Sequence, residues 1–583
     1  MTLGYDEINA RLTAPGEFFE IEERDVGGIA TRTWKNAPRS LREVLAQGAA
    51  AGGTRPFLVL GDERLTHAEH ASRVATFARA LVDDLGVQHG DRVVIAMRNY
   101  PEWSIAFFAT TLIGAVAVPL NAWWTGEELA FGVRDSGARV LIADGERLVR
   151  LAPHLAELAA TGLAAVIGTR LDDRRGDGPL PDELSTIGLV EMATVIDGPP
   201  RALPDVEIDP EDEATIFYTS GTTGTPKGVL GTQRNICSNL TSLMYVGARG
   251  ALRQPPPAVG AGAGADAPRP QPVTLVPVPL FHATGCHSIL VAHAYFGGTL
   301  VLMRKWDPQV ALRLIERERV TGLSGVPSMM WELVQAPNAH DFDLSSLTTL
   351  GGGGAAAPPE IVRKAAAVLP GRAVSTGYGL TETSSLVTSI SGADYAAHPD
   401  SVGVPVPVCG VRVIGDDGTD VPAGAPGELW ISGPNVVKGY WRRPDETAAT
   451  FVDGWLRSGD LGRIDDEGFV YILDRIKDII IRGGENVAGA EVEAALFEHP
   501  DVLDVAAIGI PHDVLGEEVG VVVCLRPGAE ADADALRAHV AARLAGFKVP
   551  THVWIRVEPL PRNPAGKVMK RELRTSVESI SAS

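Results

Sequence analysis

Residues 214–228 read ATIFYTSGTTGTPKG, in which a short apolar run leads directly into a loop rich in glycine and hydroxyl side chains. The apolar run, Ala214–Tyr218, is typical of a buried β-strand. The loop offers what a polyphosphate needs, because glycines let backbone N–H groups point inward, hydroxyls donate hydrogen bonds, and Lys227 supplies a cation. The stretch therefore predicts a phosphate-binding loop at the end of a strand.

This loop differs from the Walker loop of P-loop NTPases, which ends in Gly-Lys followed by Ser or Thr. Here Pro226 precedes Lys227, and Gly228 follows it. The mechanism of the P-loop NTPases is therefore disfavoured. A polar surface turn is the alternative to a phosphate-binding role.

Length and charge limit the partners that the chain can have. With 583 residues it is too long for one compact core, which predicts several domains. Its 52 Lys and Arg residues against 73 Asp and Glu residues give a formal net charge of -21. Such a charge repels nucleic acid and anionic membranes, so neither is expected as a partner. A few local cations and backbone amides still allow an anionic substrate such as ATP.

The cysteines and the N-terminal residues indicate the cellular compartment of the protein. The cysteines are widely scattered, at Cys237, Cys286, Cys409 and Cys524. They show neither zinc-site spacing nor disulfide density, which suits a reducing compartment. The N-terminal residues contain no apolar signal-peptide core. The most membrane-like stretch, Ile105–Leu120, is short for a bilayer span, so we interpret it as buried core and predict a cytoplasmic protein.

From about Leu41 the sequence alternates helix-like segments with short runs rich in β-branched residues. The clearest predicted strands lie at 92–96, 115–118, 138–142, 274–278 and 299–302. Helices are predicted near Trp103–Ile113 and from the N-cap Asp307 towards Arg319. This alternation predicts an α/β fold built from layers of mixed, mainly parallel sheets with helices.

The pattern changes near residue 475. After a strand-like run at 468–473, the sequence predicts a smaller α+β arrangement with helices at 491–497 and 533–544 and strands at 505–510 and 520–525. We predict a large N-terminal domain over 1–474, a small mobile C-terminal domain over 475–583, and a hinge zone at Asp474–Asp478. Residues 250–272, almost wholly Ala, Gly and Pro, predict a flexible insertion loop. A lid is the alternative to a tolerated surface insertion.

Further motifs follow the phosphate loop along the chain. They are GYGLTET at 377–383, WLRSGD at 455–460 and PRNPAGK at 561–567. With the loop, they resemble the signatures of the adenylate-forming superfamily, which includes acyl-CoA synthetases, firefly luciferase and nonribosomal peptide adenylation domains. The resemblance extends over nearly the whole chain.

The resemblance implies a site for ATP and AMP. In this site Tyr378 packs against adenine, Thr381 meets the α-phosphate, Asp460 binds both ribose hydroxyls, and Arg475 assists at ribose and phosphate. The other nucleotide-binding positions that it implies are Thr219, Ser220, Gly221, Thr223, Gly224, Lys227, Gly353, Gly354, Ala355, Gly377 and Gly379.

The resemblance also implies catalytic roles for Lys567, Thr222, Glu382 and His282. Lys567 bridges the substrate carboxylate and the α-phosphate in such enzymes, and Glu382 helps to hold Mg²⁺, which a hard carboxylate suits. His282 falls where the family often places an aromatic or histidine gate beside the acyl site. A core histidine with one hydrogen bond is the alternative.

The CoA and acyl sites are implied by other segments. Lys477 occupies the hinge position of the family, and a glycine-rich turn at the pantetheine tunnel is implied at Gly483, Gly484 and Glu485. The acyl pocket is predicted near His282, residues 326–330 and the turn 351–357. Its apolar, Met-containing and small side chains favour a medium-chain, long-chain or bulky hydrophobic acid. An amino acid is disfavoured, because no Asp near His282 can pair with its ammonium.

The resemblance therefore predicts an ATP-dependent acyl-CoA ligase with Mg²⁺ and CoA. The acid first becomes an acyl-AMP with release of pyrophosphate, and CoA then takes the acyl group with release of AMP. The alternative is an acyl-AMP ligase that loads the phosphopantetheine of a carrier protein. A luciferase-like oxygenase and a silent binding protein are disfavoured, the latter because Lys227 and Lys567 are both present. A homodimer is compatible with this prediction.

Overall fold

Large mixed sheets carry the predicted phosphate loop and the GYGLTET motif. The structure, a computed structural model, describes residues 3–172, 181, 183–184, 188–219, 226–253, 271–336, 338–353, 363, 368–563 and 566–581. Short strands and the helices between them alternate through most of the first 400 residues. This architecture confirms the predicted α/β fold of mixed, mainly parallel sheets.

The sheet that leads into the phosphate loop, called the loop sheet, contains the predicted strand as Glu213–Thr219. Across the sheet the strands follow the order Gly439–Tyr440, Lys227–Thr232, Glu213–Thr219, Val116–Pro119, Arg92–Ala96, Val140–Asp144, Ala165–Thr169 and Val190–Glu191. The strands from Glu213–Thr219 to Val190–Glu191 run parallel. The remaining strands at the other edge pair antiparallel, so the phosphate loop is a hairpin connection.

The sheet that carries GYGLTET, called the motif sheet, is also mixed. Its strands follow the order Val404–Pro405, Thr388–Ser391, Ala373–Tyr378, Thr349–Gly353, Gly322–Gly325, Val273–Val276, Thr299–Leu302, Pro56–Leu60 and Glu63–Thr66. The central pairs are parallel, and antiparallel strands close both edges. The strand predicted at 299–302 has these bounds in the structure.

Helices cover both sheets. They are Tyr5–Leu12, Leu41–Gly52, His67–Asp83, Pro101–Thr111, Gly126–Ser136, Gly145–Leu151, Leu155–Ala160, Met192–Ile196, Gln233–Arg253, Val291–Phe296, Pro308–Arg317, Pro327–Gln335, Gly392–Ala397 and Pro444–Thr450. The main core lies between the loop sheet and the motif sheet, since side chains of both sheets share it. Parallel strands covered on both faces form continuous apolar runs, which explains why they were predictable.

The helix Pro101–Thr111 runs through this core. Trp103, Phe107 and Phe108 are fully buried in it, and each such side chain stabilises the fold by roughly 1.5–3 kcal/mol. The stretch predicted as core rather than membrane is therefore core. Throughout the described ranges, no helix has both the length and the apolar character that crossing a bilayer requires.

An antiparallel sheet, called the middle sheet, precedes the predicted hinge zone. It contains Gly410–Ile414, Gly427–Ser432, Phe451–Val452, Trp455–Ile464 and Val470–Arg475. A separate hairpin of Ile21–Val26 and Ile29–Trp34 lies near the N-terminus. The middle sheet ends at Arg475, and the 3₁₀-helix Ile476–Asp478 follows it.

The last hundred residues contain their own sheet, called the C-terminal sheet. Its strands are Ile480–Arg482, Glu485–Val487, Val502–His512, Gly516–Leu525 and His552–Arg556. The helices Gly489–Phe497, Ala533–Ala541 and Lys570–Ser581 accompany it. A separate apolar core lies on the sheet. The predicted α+β character is confirmed, whereas the domain limits 1–474 and 475–583 stay predictions.

Part of one predicted loop is helical. Residues 250–253 belong to the helix Gln233–Arg253. Arg253 holds the end of this helix in place, because it forms an ion pair with Asp394 and donates a hydrogen bond to the Leu3 carbonyl at 2.7 Å. Residues 254–270 of the predicted loop lie outside the described residues. The strand Val273–Val276 begins directly after Pro272, the predicted end of the loop.

Candidate active site

The phosphate loop connects two antiparallel strands of the loop sheet. Thr219 ends one strand and Lys227 begins the next, and the two residues are cross-strand partners. Both therefore lie where the predicted loop leaves and re-enters the sheet. The loop positions themselves lie outside the described residues, and they are Ser220, Gly221, Thr222, Thr223 and Gly224. Their predicted roles stay predictions.

Lys227 lies beside a segment that the sequence analysis did not select. Its ammonium forms an ion pair with Glu446 and lies 5.4 Å from the centre of the Tyr440 ring. The hydroxyl of Tyr440 donates a hydrogen bond to Oε1 of Glu382 at 3.0 Å. The predicted loop cation and the predicted magnesium ligand are thus linked through neighbouring side chains of one segment.

The GYGLTET motif ends the strand Ala373–Tyr378 in a sharp turn. A Cβ atom on Gly379 would lie 1.3 Å from the carbonyl oxygen of Ser385, so the two backbones approach too closely for any side chain there. Ser384 and Ser385 both have positive φ, at 50° and 109°, which is unfavourable for residues other than glycine. The turn places Thr381 and Glu382 in a short 3₁₀-helix.

We expect Gly379→Ala to destabilise the protein by about 1–3 kcal/mol, because the new methyl group forces the turn away from Ser385. Adenylation should fall as well, since Thr381 and Glu382 move with the turn. Calorimetric melting and pyrophosphate release measure the two effects. Gly247→Ala is the matched control, because Gly247 is helical with open space around its Cβ position. Equal melting temperatures for the two variants would contradict the steric argument.

Asp460 connects the GYGLTET and WLRSGD motifs. Its Oδ2 accepts a hydrogen bond from the Tyr378 hydroxyl at 2.6 Å, and its Oδ1 pairs with Nε of Arg475 at 2.6 Å. Asp460 and Arg475 are cross-strand partners in the middle sheet. Burial raises the pKa of the Asp460 carboxyl, while Arg475 and Tyr378 oppose that rise. Three residues predicted at the nucleoside are therefore in direct contact.

Asn563 and Lys567 of the PRNPAGK motif are hydrogen-bonded to each other, whereas Pro564 and Ala565 lie outside the described residues. The backbone N–H of Lys567 donates to Oδ1 of Asn563 at 2.9 Å, and Arg562 pairs with Asp504 at 2.7 Å. Gly566 has a φ of +79°, and a Cβ atom there would lie 2.6 Å from a methyl carbon of Val326. The loop that carries Lys567 thus packs closely on the segment predicted to line the acyl pocket.

Lys567 interacts electrostatically with other predicted site residues. Its pKa is lowered, first by desolvation and next by repulsion from Arg475, although its own surface stays accessible to solvent. The charges of Asp460 and Glu382 act in the opposite direction, and Lys477 adds a further lowering effect. The Lys567 ammonium therefore interacts electrostatically with carboxylates of both the GYGLTET and the WLRSGD motifs.

The charge of Lys567 also acts on His282. Burial, with a smaller effect of the Lys567 charge, lowers the pKa of His282 to about 4, so the imidazole is neutral at pH 7. Its buried Nε2 has no hydrogen-bond partner among the described residues. A core histidine with one hydrogen bond can also leave one ring nitrogen unpaired, so the place of His282 beside the acyl site stays a prediction.

The strands under the predicted acyl pocket are neighbours in the motif sheet. Gly351 and Gly352 pair with Ser324 and Gly325, and the Met330 methyl lies 3.2 Å from the Cβ position of Gly352. The described part of the turn ends at Gly353, the partner of Gly377. Gly354 and Ala355 lie outside the described residues, and their predicted roles stay predictions.

The predicted CoA residues form a hairpin turn. Gly483 and Gly484 make a two-residue hairpin turn with φ of +61° and +89°, and Glu485 begins the next strand. Positive φ at both positions is the pattern of a type I′ hairpin turn. The turn is exposed, and the N–H of Gly483 donates to the Leu515 carbonyl at 2.7 Å. A CoA role for this turn stays a prediction.

Comparison with known proteins assigns the chain. Residues 45–441 match the AMP-binding enzyme family, and residues 491–567 match the AMP-binding enzyme C-terminal domain. The chain belongs to the AMP-binding enzyme family. The predicted relationship to adenylate-forming enzymes is thereby confirmed.

Similar members of the AMP-binding enzyme family include CoA ligases. A feruloyl-CoA synthase of an Amycolatopsis species is 37% identical over 514 residues, which cover 88% of this chain and 94% of the relative. A long-chain-fatty-acid–CoA ligase of Bacillus subtilis (strain 168) is 32% identical over 557 residues, covering 92% and 94%. The solved o-succinylbenzoate CoA synthetase of Bacillus subtilis, in complex with its acyl-adenylate, has a TM-score of 0.72 and 28% identity, covering 91% and 98%.

Membership of the AMP-binding enzyme family makes this chain an AMP-forming acid–thiol ligase that uses ATP, Mg²⁺ and CoA. The Mg²⁺ of such enzymes needs few protein ligands, because it is commonly held by one or two carboxylates and substrate phosphates. In the described part of the chain, no cluster of three or more His, Cys, Asp or Glu residues could hold a metal. Glu382 is a partly buried carboxylate of the kind that suits such an ion, and its role as a magnesium ligand stays a prediction.

Sequence reasoning missed Tyr440 and Glu446, which contact Glu382 and Lys227 in this member of the AMP-binding enzyme family. The string KGYWRRPDE at 438–446 contains both, but nothing in its spacing reveals that it pairs with the strand of Lys227. Sequence reasoning also missed the π-helix Thr284–Leu290, whose His287 lies 3.3 Å from the Ser384 carbonyl. Such helices are frequent at functional sites.

Proposed function

We propose that this chain activates a hydrophobic carboxylic acid as an acyl-AMP and transfers the acyl group to CoA, with Lys567, Glu382 and Asp460 in the roles stated above. One observation carries the proposal. Lys567, near the C-terminus, interacts electrostatically with Glu382, Asp460 and His282, which come from three other segments of the chain. A cation that interacts with the proposed nucleoside-binding carboxylate and with the proposed acyl-site imidazole supports a role for Lys567 where the two substrates react.

In the first step an oxygen of the substrate carboxylate attacks the α-phosphorus of ATP. The new O–P bond forms as the bond to the pyrophosphate oxygen breaks. The Lys567 ammonium stabilises negative charge on the reacting oxygens, and Lys227 with the loop hydroxyls holds the leaving pyrophosphate. Mg²⁺ on Glu382 supplies further charge neutralisation when bound. Thr222 and its loop neighbours keep their predicted role in this step.

In the second step the CoA thiolate attacks the acyl carbonyl, and AMP leaves. The hairpin turn at Gly483 and Gly484 is exposed in the structure, and we propose that the C-terminal domain rotates to bring this turn to the acyl group. We place the hinge at Lys477, in the 3₁₀-helix that joins the middle sheet to the C-terminal sheet. Residues 1–474 and 475–583 are then the two bodies of this motion.

The substrate is proposed to be a medium-chain, long-chain or bulky hydrophobic acid. Val326, Met329 and Met330 are buried beside the strands that carry the predicted pocket, and flexible methionines accommodate varied apolar shapes. The related feruloyl-CoA synthase and long-chain-fatty-acid–CoA ligase are named for acids of this broad kind. Transfer to a carrier protein is the alternative for the second step.

The test is an assay of AMP release that depends on both ATP and CoA, run across fatty, aromatic and polycyclic acids. We expect a hydrophobic acid to give stoichiometric AMP and thioester. Pyrophosphate release without any thioester on addition of CoA would favour the carrier-protein alternative. Absence of ATP-dependent turnover with every acid would refute the proposal.

A cytoplasmic location and the state of assembly are further parts of the proposal. The cysteines at 237, 286, 409 and 524 are buried and unpaired in the described structure, which suits the reducing cytoplasm. A homodimer stays a prediction. Size-exclusion chromatography with light scattering, on the full chain, measures the assembly.

A further inference from the structure

The ammonium of Lys227 is already paired with a carboxylate of the protein. It forms an ion pair with Glu446, and only 17% of the Lys227 side chain is exposed. This contact is the largest cause of the lowered pKa of the Glu446 carboxyl. The ring of Tyr440 lies 5.4 Å from the same ammonium. A polyphosphate that takes Lys227 as its cation must therefore compete with a resident carboxylate.

The segment that carries Glu446 is fixed to the strand of Lys227. The backbone N–H of Trp441 donates to the Gly228 carbonyl at 2.7 Å, and that of Lys438 donates to the Leu230 carbonyl at 3.1 Å. The backbone N–H of Val437 donates to the carbonyl of Glu382 at 3.0 Å. These backbone hydrogen bonds hold the segment before Glu446 against the strand of Lys227 and against the turn of Glu382. The ion pair between Glu446 and Lys227 is therefore supported by a fixed backbone.

The competition depends on the charge of the ligand. Pyrophosphate and the terminal phosphates of ATP carry several negative charges close together, whereas Glu446 carries one. A polyphosphate can therefore displace Glu446 from Lys227, and the freed carboxylate then lies near the ligand and repels it. AMP has no terminal phosphates to reach Lys227, so its binding should not involve this exchange.

We propose that Glu446 is a positioning residue that pairs with Lys227 in the unliganded enzyme and is displaced from Lys227 only by a polyphosphate. Glu446 thereby sets how tightly ATP and pyrophosphate bind without affecting AMP. This inference rests on the role of Lys227 given under Proposed function. The carboxylate of Glu446 competes with pyrophosphate for Lys227. This competition weakens the binding of pyrophosphate and so favours its release after adenylation.

The test is calorimetric binding of MgATP, magnesium pyrophosphate and AMP to the full chain and its variants. A partly exposed ion pair contributes up to about 1 kcal/mol, so we expect Glu446→Gln to bind MgATP and pyrophosphate about two- to five-fold more tightly. Its affinity for AMP should equal that of the wild type. Steady-state kinetics should show a lower KM for ATP without a higher kcat.

Asp445→Asn is the matched control. Asp445 precedes Glu446 in the same helix and is exposed, so this variant removes the same charge from the same helical turn. It should bind all three ligands as the wild type does. Glu446→Asp, which keeps the charge on a shorter side chain, should fall between the wild type and Glu446→Gln.

Weaker binding of ATP by Glu446→Gln would overturn the inference, because Glu446 would then be needed to hold Lys227 for the phosphates. An equal change for AMP or an equal effect of Asp445→Asn would also overturn it, since diffuse charge would suffice. Failure of the proposed function has a different signature. In that case the wild type binds neither ATP nor pyrophosphate, or Lys227→Ala binds both as tightly as the wild type.

Discussion

Replacing Lys567 with alanine is expected to lower the rate of acyl-AMP formation by about 100- to 1000-fold, the range seen when one charge-stabilising donor is removed from an active site. The physical reason is the electrostatic environment of Lys567. It interacts with the charges of Glu382 and Asp460, and Gly566 beside it packs against Val326. The other cation of the motif, Arg562, is paired with Asp504.

The second half-reaction separates this role from a structural one. Because thiolate attack on a finished acyl-AMP requires no charge neutralisation at the α-phosphorus, thioester formation from supplied acyl-AMP should stay within a few-fold of the wild-type rate. Rapid-quench assays of pyrophosphate release and of thioester formation measure the two steps. Lys35→Ala is the control, because Lys35 is an exposed lysine paired with Glu20 in the N-terminal hairpin. Equal loss of both half-reactions in Lys567→Ala would contradict the assignment.

The elements that the sequence predicted best are buried parallel strands. Thr299–Leu302 and Arg92–Ala96 have the predicted bounds, because a strand covered on both faces must be apolar throughout. The end of the helix Ala533–Ala541 was predicted three residues too late. Leu544 continues the apolar period by packing on the C-terminal core after the helix has ended, so periodicity alone could not locate the end.

The nucleoside part of the site was predictable because short motifs carry it. Tyr378, Asp460 and Arg475 were selected separately from their strings, and the structure brings them into direct contact. The Tyr440–Glu382 hydrogen bond was not predictable in this way. It depends on the edge strand Gly439–Tyr440 pairing with the strand of Lys227, and such long-range pairing is not encoded in the local pattern of either segment.

The final expected result concerns Asp460. We expect Asp460→Asn to raise the KM for ATP about 100-fold, which corresponds to about 2.7 kcal/mol, a loss expected for hydrogen bonds to a charged group. A carboxylate can accept both ribose hydroxyls, whereas an asparagine amide has one accepting oxygen. The substitution also removes the anion that pairs with Arg475, so the guanidinium of Arg475 loses its compensating charge.

Two comparisons make this expectation specific to the ribose. The KM for 2′,3′-dideoxy-ATP, which lacks the hydroxyls, should be nearly equal in Asp460→Asn and in the wild type. Asp420→Asn is the control, because Asp420 forms a similar pair with Arg412 of the middle sheet on the exposed surface, and its KM for ATP should not change. If Asp460→Asn raised the KM for both nucleotides by the same factor, Asp460 would act through Tyr378 and Arg475 rather than on the ribose.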